Sequence, residues 1–259
     1  MTINKRIKYI TKHINKIGLF STLSYFIQRL AKTKGSVIAV KIKGLRYPVY
    51  LRSKTYDSNI FYQIFIDEEL EISYNGTIKT ILDLGGNIGL STLFFLRKFP
   101  QAEIITVEPA SNNFNLLTKN TERYSNVKRL HAGVYSKDCT LYLVDIGKGE
   151  ASYRVVEDAG TCLVMDTINC MSIDSIRKKF QLQHIDLLKM DIEGSEEACV
   201  INAPIDWLFD TTYFMVEIHD SLKAGLTSAI KATIPPAFQF SQHGEYSIFH
   251  AANSQMKAV

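Results

Sequence analysis

The run ILDLGGNIGLSTLFF, residues 81–95, passes from a short apolar segment through an acid and a cluster of glycines straight into a second apolar segment. A buried strand that turns through glycine into a buried helix is the repeating unit of a parallel sheet covered by helices. Such a turn also lets backbone approach a nucleotide, so the glycine register decides which nucleotide it suits. A dinucleotide fingerprint starting at Gly85 needs glycine at positions 87 and 90, where the chain has Asn87 and Leu90. That spacing opposes an NAD(P)-dependent oxidoreductase.

The rest of the chain continues the alternation. TILDL, EIITVE and VKRLHAGV read as strands, separated by helices that start near Ile88 and Asn112, and a β-rich stretch runs from Thr140 to Cys170. SIDSIRKKF then reads as a helix, IDLLKMDI as a buried strand, GSEEACVINA as a helix and TYFMVEI as a strand, before a last helix and two short strands. Several strands are apolar on both faces, so the fold class is α/β, a mostly parallel sheet with helices on both sides. Ahead of it, SVIAVKIKG and RYPVYLR form a hairpin turned near Gly44, and Asp57 to Ile66 a lead-in helix. We set the boundary after residue 78, with a basic arm, hairpin and lead-in helix in 1–78 and the sheet domain in 79–259.

Asp83, Gly85, Asn87 and Gly89 place an acid and then two glycines around a small polar residue at alternate positions. This is the form of the nucleotide loop of S-adenosylmethionine-dependent methyltransferases, where glycine lets the chain pass the methionine and ribose portions of the cofactor. Glu108 ends EIITVE 25 residues after Asp83, where a carboxylate accepts hydrogen bonds from both ribose hydroxyls, and Pro109 stops the strand. Because both cofactors contain adenosine, Glu108 does not separate them; the glycine register does.

DLGGNIGLST, VEPASNNFNLLTKN, IDLLKMDIEGSE and MVEIHD, in this order and spacing, resemble the FkbM family of S-adenosylmethionine-dependent methyltransferases, many of them O-methyltransferases. SKTYDSNIFYQIF and SIDSI extend the resemblance over about residues 50 to 250. Gly86 stands where alanine is common, and Tyr56 where serine is often found ahead of Asp57. The resemblance implies a class I methyltransferase (Rossmann-like) sheet of seven strands with the last reversed. It also implies S-adenosylmethionine held at Asp83, Gly85, Asn87, Gly89, Glu108 and Pro109, and an acceptor side that includes Asp57 and Glu193.

Ligands of such sheets sit beyond the carboxyl ends of the strands, which brings the loop together with Asp191, Glu193, Glu217 and His219. Methyl transfer to a hydroxyl needs a base. His219 is preferred, since an imidazole titrates near neutrality and Glu217 could orient it. Asp191 is the rival base, and with Glu217 it could hold a divalent ion, although no metal is predicted. The expected acceptor is a hydroxyl of a saccharide, a glycolipid precursor or a related small molecule. A non-catalytic, membrane-associated cofactor-binding protein is the other class of reading, and no nucleic-acid partner is expected.

Charge is unevenly spread along the 259 residues. Residues 1–56 hold 13 of the 30 Lys+Arg and none of the 26 Asp+Glu. In that arm Ile7, Ile10, Ile14 and Ile17 recur at helical spacing, and Phe20, Leu23, Ile27 and Leu30 repeat the pattern beyond Gly18. Two amphipathic helices follow from this, lying on an anionic membrane surface or capping the domain with their lysines in water. Four scattered cysteines give neither a zinc motif nor a disulfide framework and fit a reducing compartment. Neither a membrane-spanning apolar run nor a signal-peptide pattern is present, so a cytoplasmic location is expected, peripheral at the inner face of the membrane if the arm binds lipid.

Overall fold

In the computed structural model, which describes residues 3–145, 147, 153–221 and 223–251, the chain begins with helices α1 (Ile3–Ile17) and α2 (Leu19–Ala31). They break at Gly18, whose φ of 85° suits glycine. Strands β1 (Val37–Val40) and β2 (Val49–Arg52) pair antiparallel. Helix α3 (Asp57–Phe61) then widens into one π-helical turn over Tyr62–Ile66. These elements follow the sequence reading, but the arm does not dock through its aliphatic stripe. Ile17 is buried and Ile14 half-buried, whereas Ile7, Ile10, Phe20, Leu23, Ile27 and Leu30 are exposed.

Docking uses a different face. Tyr9 stacks on Tyr62 with ring centroids 4.9 Å apart, Tyr25 stacks on Phe61 at 5.5 Å, and His13 is buried beside them. Lys12 and Lys16 form ion pairs with Asp67 and Glu68. The Gln28 amide donates to the Ala39 carbonyl at 2.8 Å and accepts from the Ala39 N–H at 3.1 Å, extending β1 as a further strand would. Ring stacking adds to simple area burial, and a strand edge requires hydrogen-bond partners, so the aromatic and amide face binds and the aliphatic one is left outside.

The main sheet follows. Its strands and the intervening helices are β3 (Thr80–Leu84), α4 (Leu90–Lys98), β4 (Glu103–Glu108), α5 (Ser111–Thr121) and β5 (Val127–His131) in the first half. A short β6 (Gly133–Val134) leads into β7 (Cys139–Asp145), β8 (Tyr153–Val156) and β9 (Leu163–Met171). The second half contributes α6 (Ile173–Phe180), β10 (Ile185–Met190), α7 (Glu196–Val200), α8 (Asp206–Phe209), β11 (Thr211–Glu217), α9 (Leu226–Thr233), β12 (Phe238–His243) and β13 (Tyr246–Ala251). Seven of these strands form one sheet in the order β12-β13-β11-β10-β3-β4-β5, and β13 runs antiparallel to both its neighbours.

Alternation along each strand divides the core in two. Ile81, Ile104, Leu187 and Met215 pack with α4 and with Ile17 and Tyr25 of the arm, while Leu82, Ile105, Leu188 and Phe214 pack against Ile176, Trp207 and Ile230 on the other side. The first cluster runs without interruption across residue 78. VKRLHAGV, read as a single strand, is split at Ala132: β5 stays in the main sheet, and β6 joins a four-stranded sheet in the order β6-β9-β7-β8. That second sheet contributes Val134, Tyr153 and Val155 to a wall of the site. No helix among the described residues is long and apolar enough to cross a membrane.

Candidate active site

The chain leaves β3 and turns through Gly85 to Gly89 into α4. Gly85, Asn87 and Gly89 all have positive φ, and asparagine is among the few side chains that adopt it readily. Position 85 excludes a side chain for a second reason. A Cβ there would lie 1.7 Å from the Asp191 carbonyl oxygen, so the adjoining strand constrains this glycine before any ligand does. At position 86 a Cβ would lie 2.2 Å from Thr106 Oγ1, which accounts for a second glycine here.

Asp83 is fully buried beneath the loop. Its Oδ2 accepts from Ser91 Oγ and Thr92 Oγ1, each at 2.7 Å, and it lines neither of the two cavities at the strand ends. The first cavity is lined by Gly85, Asn87, Glu108, Pro109, Asp191 and Glu193, with the second sheet closing one side. Glu108 accepts from the Asn87 N–H and the Ala110 N–H, both at 2.9 Å. Burial pushes its pKa up to about 7 in spite of those hydrogen bonds. The Asn113 side-chain amide also donates to Glu108 Oε1 at 3.4 Å, so Oε2 is the oxygen that keeps a further lone pair for a ligand hydroxyl.

The second cavity, of about 300 Å³, shares Gly85, Asn87, Asp191 and Glu193 with the first and continues to Glu217 and Tyr246. Asp191 and Glu193 follow the end of β10, and Glu217 ends β11. Burial, followed by the charge of Asp191, pushes Glu193 up to about 7 and Glu217 up to about 9. His219 lines neither cavity and stands one layer behind. Its Nε2 is 3.5 Å from Glu193 Oε2 and 3.6 Å from Glu217 Oε1, while its Nδ1 donates to Glu196 Oε1 at 3.0 Å. Burial alone would lower its pKa; the hydrogen bond and charge of Glu196, with Asp191 and Glu193, push it up to about 9.

Several sequence expectations change here. The carboxylate that orients His219 is Glu196, in the first turn of α7, and not Glu217. Asp57, expected on the acceptor side, is buried and fully engaged. Arg52 donates to it from its backbone N–H at 2.8 Å and from Nε and Nη2 at 2.9 and 2.8 Å. Its neighbours Tyr56, Ile60 and Gln63 reach the second cavity instead. Sequence reasoning passed over Lys189. This buried ammonium donates to the Gly85 carbonyl at 2.9 Å and lies 3.4 Å from Asp191 Oδ2 and 3.6 Å from Asp83 Oδ1. Burial would lower its pKa, but Asp191, Asp83 and Glu217 raise it. The available signal was a lysine in the middle of the apolar run Leu187–Met190 of that strand, whose other charge, Asp186, stands near its start.

The strand order, the reversed β13, the glycine loop after the central strand and the acid ending the next strand together define a class I S-adenosylmethionine-dependent methyltransferase. The profile described as "Methyltransferase FkbM domain" matches residues 83–245. The chain belongs to the FkbM methyltransferase family, and its cofactor is S-adenosylmethionine. Among curated proteins it is similar to "Methyltransferase sdnD" of Sordaria araneosa, 30% identical over 186 residues that cover 60% of this chain and 72% of that one. It is also similar to "Methyltransferase 1" of Beauveria bassiana (strain ARSEF 2860), 31% identical over 159 residues that cover 52% of this chain and 62% of that one. Aeropyrum pernix fibrillarin, solved with natively bound S-adenosyl-L-methionine, matches at 11% identity and a TM-score of 0.41, over 85% of this chain and 84% of that one.

The site fits this cofactor on its own features. Asn87 Oδ1 is buried without a hydrogen-bond partner beside the first cavity. Glu108 Oε2 has acceptor capacity to spare, and Asp191 and Glu193, which line both cavities, would place carboxyl groups beside a positively charged cofactor.

Proposed function

We propose that the enzyme transfers the methyl group to a hydroxyl oxygen of a saccharide, glycolipid precursor or related hydroxylated small molecule. The observation that carries this reading is the second cavity, where Glu69, Asp191, Glu193, Glu217 and Glu245 converge and the only ammonium in the lining, Lys189, already donates to the Gly85 carbonyl. Carboxyl groups hydrogen-bond the hydroxyls of a polyol in either protonation state, and among the described residues the lining offers no uncommitted cation to hold a phosphate or carboxylate.

The bound cofactor supplies an electrophilic methyl carbon on a positively charged sulfur. Glu108 and Asn87 would hold its ribose hydroxyls and neighbouring donors, with Pro109 ending the strand beside them. Gly85 and Gly89 give the loop its turn. Asp191 and Glu193 line both cavities, so they stand at the junction where the acceptor oxygen must meet the methyl carbon in line. Asp191 takes the hydroxyl proton, steadied by Lys189. His219 acts through its neighbours: with Nδ1–H held on Glu196, its Nε2 faces Glu193 and Glu217 and fixes their orientation.

A metal-assisted version is the second reading. Asp191, Glu217 and His219 offer ligand atoms within 4.8 Å of one another, a spacing that a divalent ion fits. Loss of activity in chelator, restored by added magnesium or manganese, would favour it.

The test is a screen of neutral sugars, polyols, amines and phosphorylated sugars, scored by release of S-adenosylhomocysteine. Turnover is expected with neutral polyhydroxylated acceptors. Methylation confined to amines or to anionic acceptors would reject the O-methylation reading, and calorimetry without S-adenosylmethionine binding would remove the roles given to Glu108 and Asn87.

A further inference from the structure

Helix α2 is assembled in the opposite sense to an ordinary surface helix. Its polar and aromatic residues, Thr22, Tyr25 and Gln28, face the protein, whereas Leu19, Phe20, Leu23, Ile27 and Leu30 face out along its whole length. Phe20 is 86% exposed, Leu30 80% and Ile27 64%. Helix α1 adds Ile7 and Ile10 to the exposed aliphatic set. A contiguous apolar stripe of this kind on a folded protein marks a surface that something else covers.

Charge identifies the cover. Lys5, Arg6, Lys8, Lys32 and Lys34 are exposed and have no ion-pair partner among the described residues. Lys54 Nζ lies 3.4 Å from the Leu30 carbonyl, at the end of the stripe. No acid occurs in residues 1–56 to balance them. A second copy of the chain would bring the same positive charge against itself. At about 1.5 Å per residue the 13-residue α2 is about 20 Å long, too short to span a bilayer but suited to lying in its interface.

We propose that the outward face of α2, with Ile7 and Ile10 of α1, is a docking surface for an anionic lipid bilayer. Aliphatic and phenyl groups enter the headgroup boundary and the lysines meet lipid phosphates, while the Tyr9, His13 and Tyr25 face keeps the arm fixed to the enzyme. The surface lies outside the methyl-transfer site and does not depend on which acceptor that site takes.

The experiment is co-sedimentation of the full chain with vesicles of phosphatidylcholine alone or mixed with phosphatidylglycerol. Salt is varied between about 0.1 M and about 1 M, over which the Debye length falls from about 10 Å to about 3 Å. Binding to the anionic vesicles at low salt is expected, weakened more than about tenfold at high salt. Phe20→Asp with Ile27→Asp should abolish it, and Lys32→Ala with Lys34→Ala should weaken it by about fivefold per lysine. All four positions are exposed, and an unchanged melting temperature confirms that each variant is folded. Four results would each overturn the proposal: absence of binding to anionic vesicles at low salt, equal binding to neutral vesicles, equal binding by the aspartate variant, or a dimer in light scattering that Phe20→Asp dissociates. The last would assign the face to a second copy.

Discussion

The strand-end cleft and the N-terminal helices depart from the usual partition of polar and apolar residues in opposite directions. In the cleft, Lys189, Glu196 and Asp83 lie in the interior. In the arm, Phe20, Ile27 and Leu30 lie in water. The cleft offsets its departure from within: Lys189 meets two carboxylates and a carbonyl, Glu196 meets His219, and Asp83 receives two hydroxyls. The aliphatic face of α2 has no such compensation among the described residues. A charge brought inside a protein selects its partners inside, whereas an apolar face left outside is where a partner can still be added.

The largest expected effect tests how the cleft divides its labour. Asp191→Asn should lower turnover by about 100- to 10,000-fold, the usual range for loss of a general base. His219→Ala should cost distinctly less, because the imidazole acts through Glu193 and Glu217. Single-turnover rates at saturating acceptor separate the two, and equal losses would place His219 in contact with the acceptor after all.

In the arm the contrast lies between the two faces of one helix. Tyr25→Ala removes a buried ring packed on Phe61 and should destabilise the protein by about 3–5 kcal/mol in urea denaturation. Phe20→Ala should stay within about 0.5 kcal/mol. A large effect of Phe20→Ala would mean that the outer face is packed in solution.

A smaller effect reports the charge stored in the cleft. Glu108 and Glu193 have folded pKa values of about 7 against 4.5 for an ordinary glutamate, Glu217 about 9 against 4.5, and His219 about 9 against 6.5. In every case the folded protein holds the proton to higher pH than the unfolded chain. Their contribution to stability is therefore complete below pH 4.5 for the carboxyls and below 6.5 for the imidazole, and is lost as pH rises through the folded values. The contribution of these groups to the melting temperature of the ligand-free enzyme should fall from pH 4.5 to 9, and Glu196→Gln should flatten the part above pH 6.5 by lowering the His219 pKa. The same ionisation of Glu193 should strengthen S-adenosylmethionine binding between pH 6 and 8. A small effect, less than about 1 kcal/mol, is expected at Lys16→Ala, since its ion pair with Glu68 is part-exposed.

What was legible in the sequence is local. The Gly85 and Gly89 turn, the strand ending in Glu108 and the helix break at Gly18 all follow from backbone constraints within a few residues. The two-sided sheet follows from alternation such as Ile81 with Leu82. The 13 uncancelled charges of the first 56 residues were equally plain. Tertiary structure decided everything that depends on neighbours distant in the chain. Lys189, held by Asp83 of β3 and the Gly85 carbonyl as well as by the nearby Asp191, and Glu196, facing a histidine 23 residues away, have long-range partners that no local pattern names. Asp57 was withdrawn from the acceptor side by a partner only five residues away, Arg52, which claimed both its oxygens; the turn between them, rather than a residue pattern, sets that contact. Helical periodicity showed that α1 and α2 have an aliphatic face but could not show which face docks. That choice is a difference in free energy between surfaces, and the rings of Tyr62 and Phe61 with the open backbone of Ala39 settled it in favour of the other face.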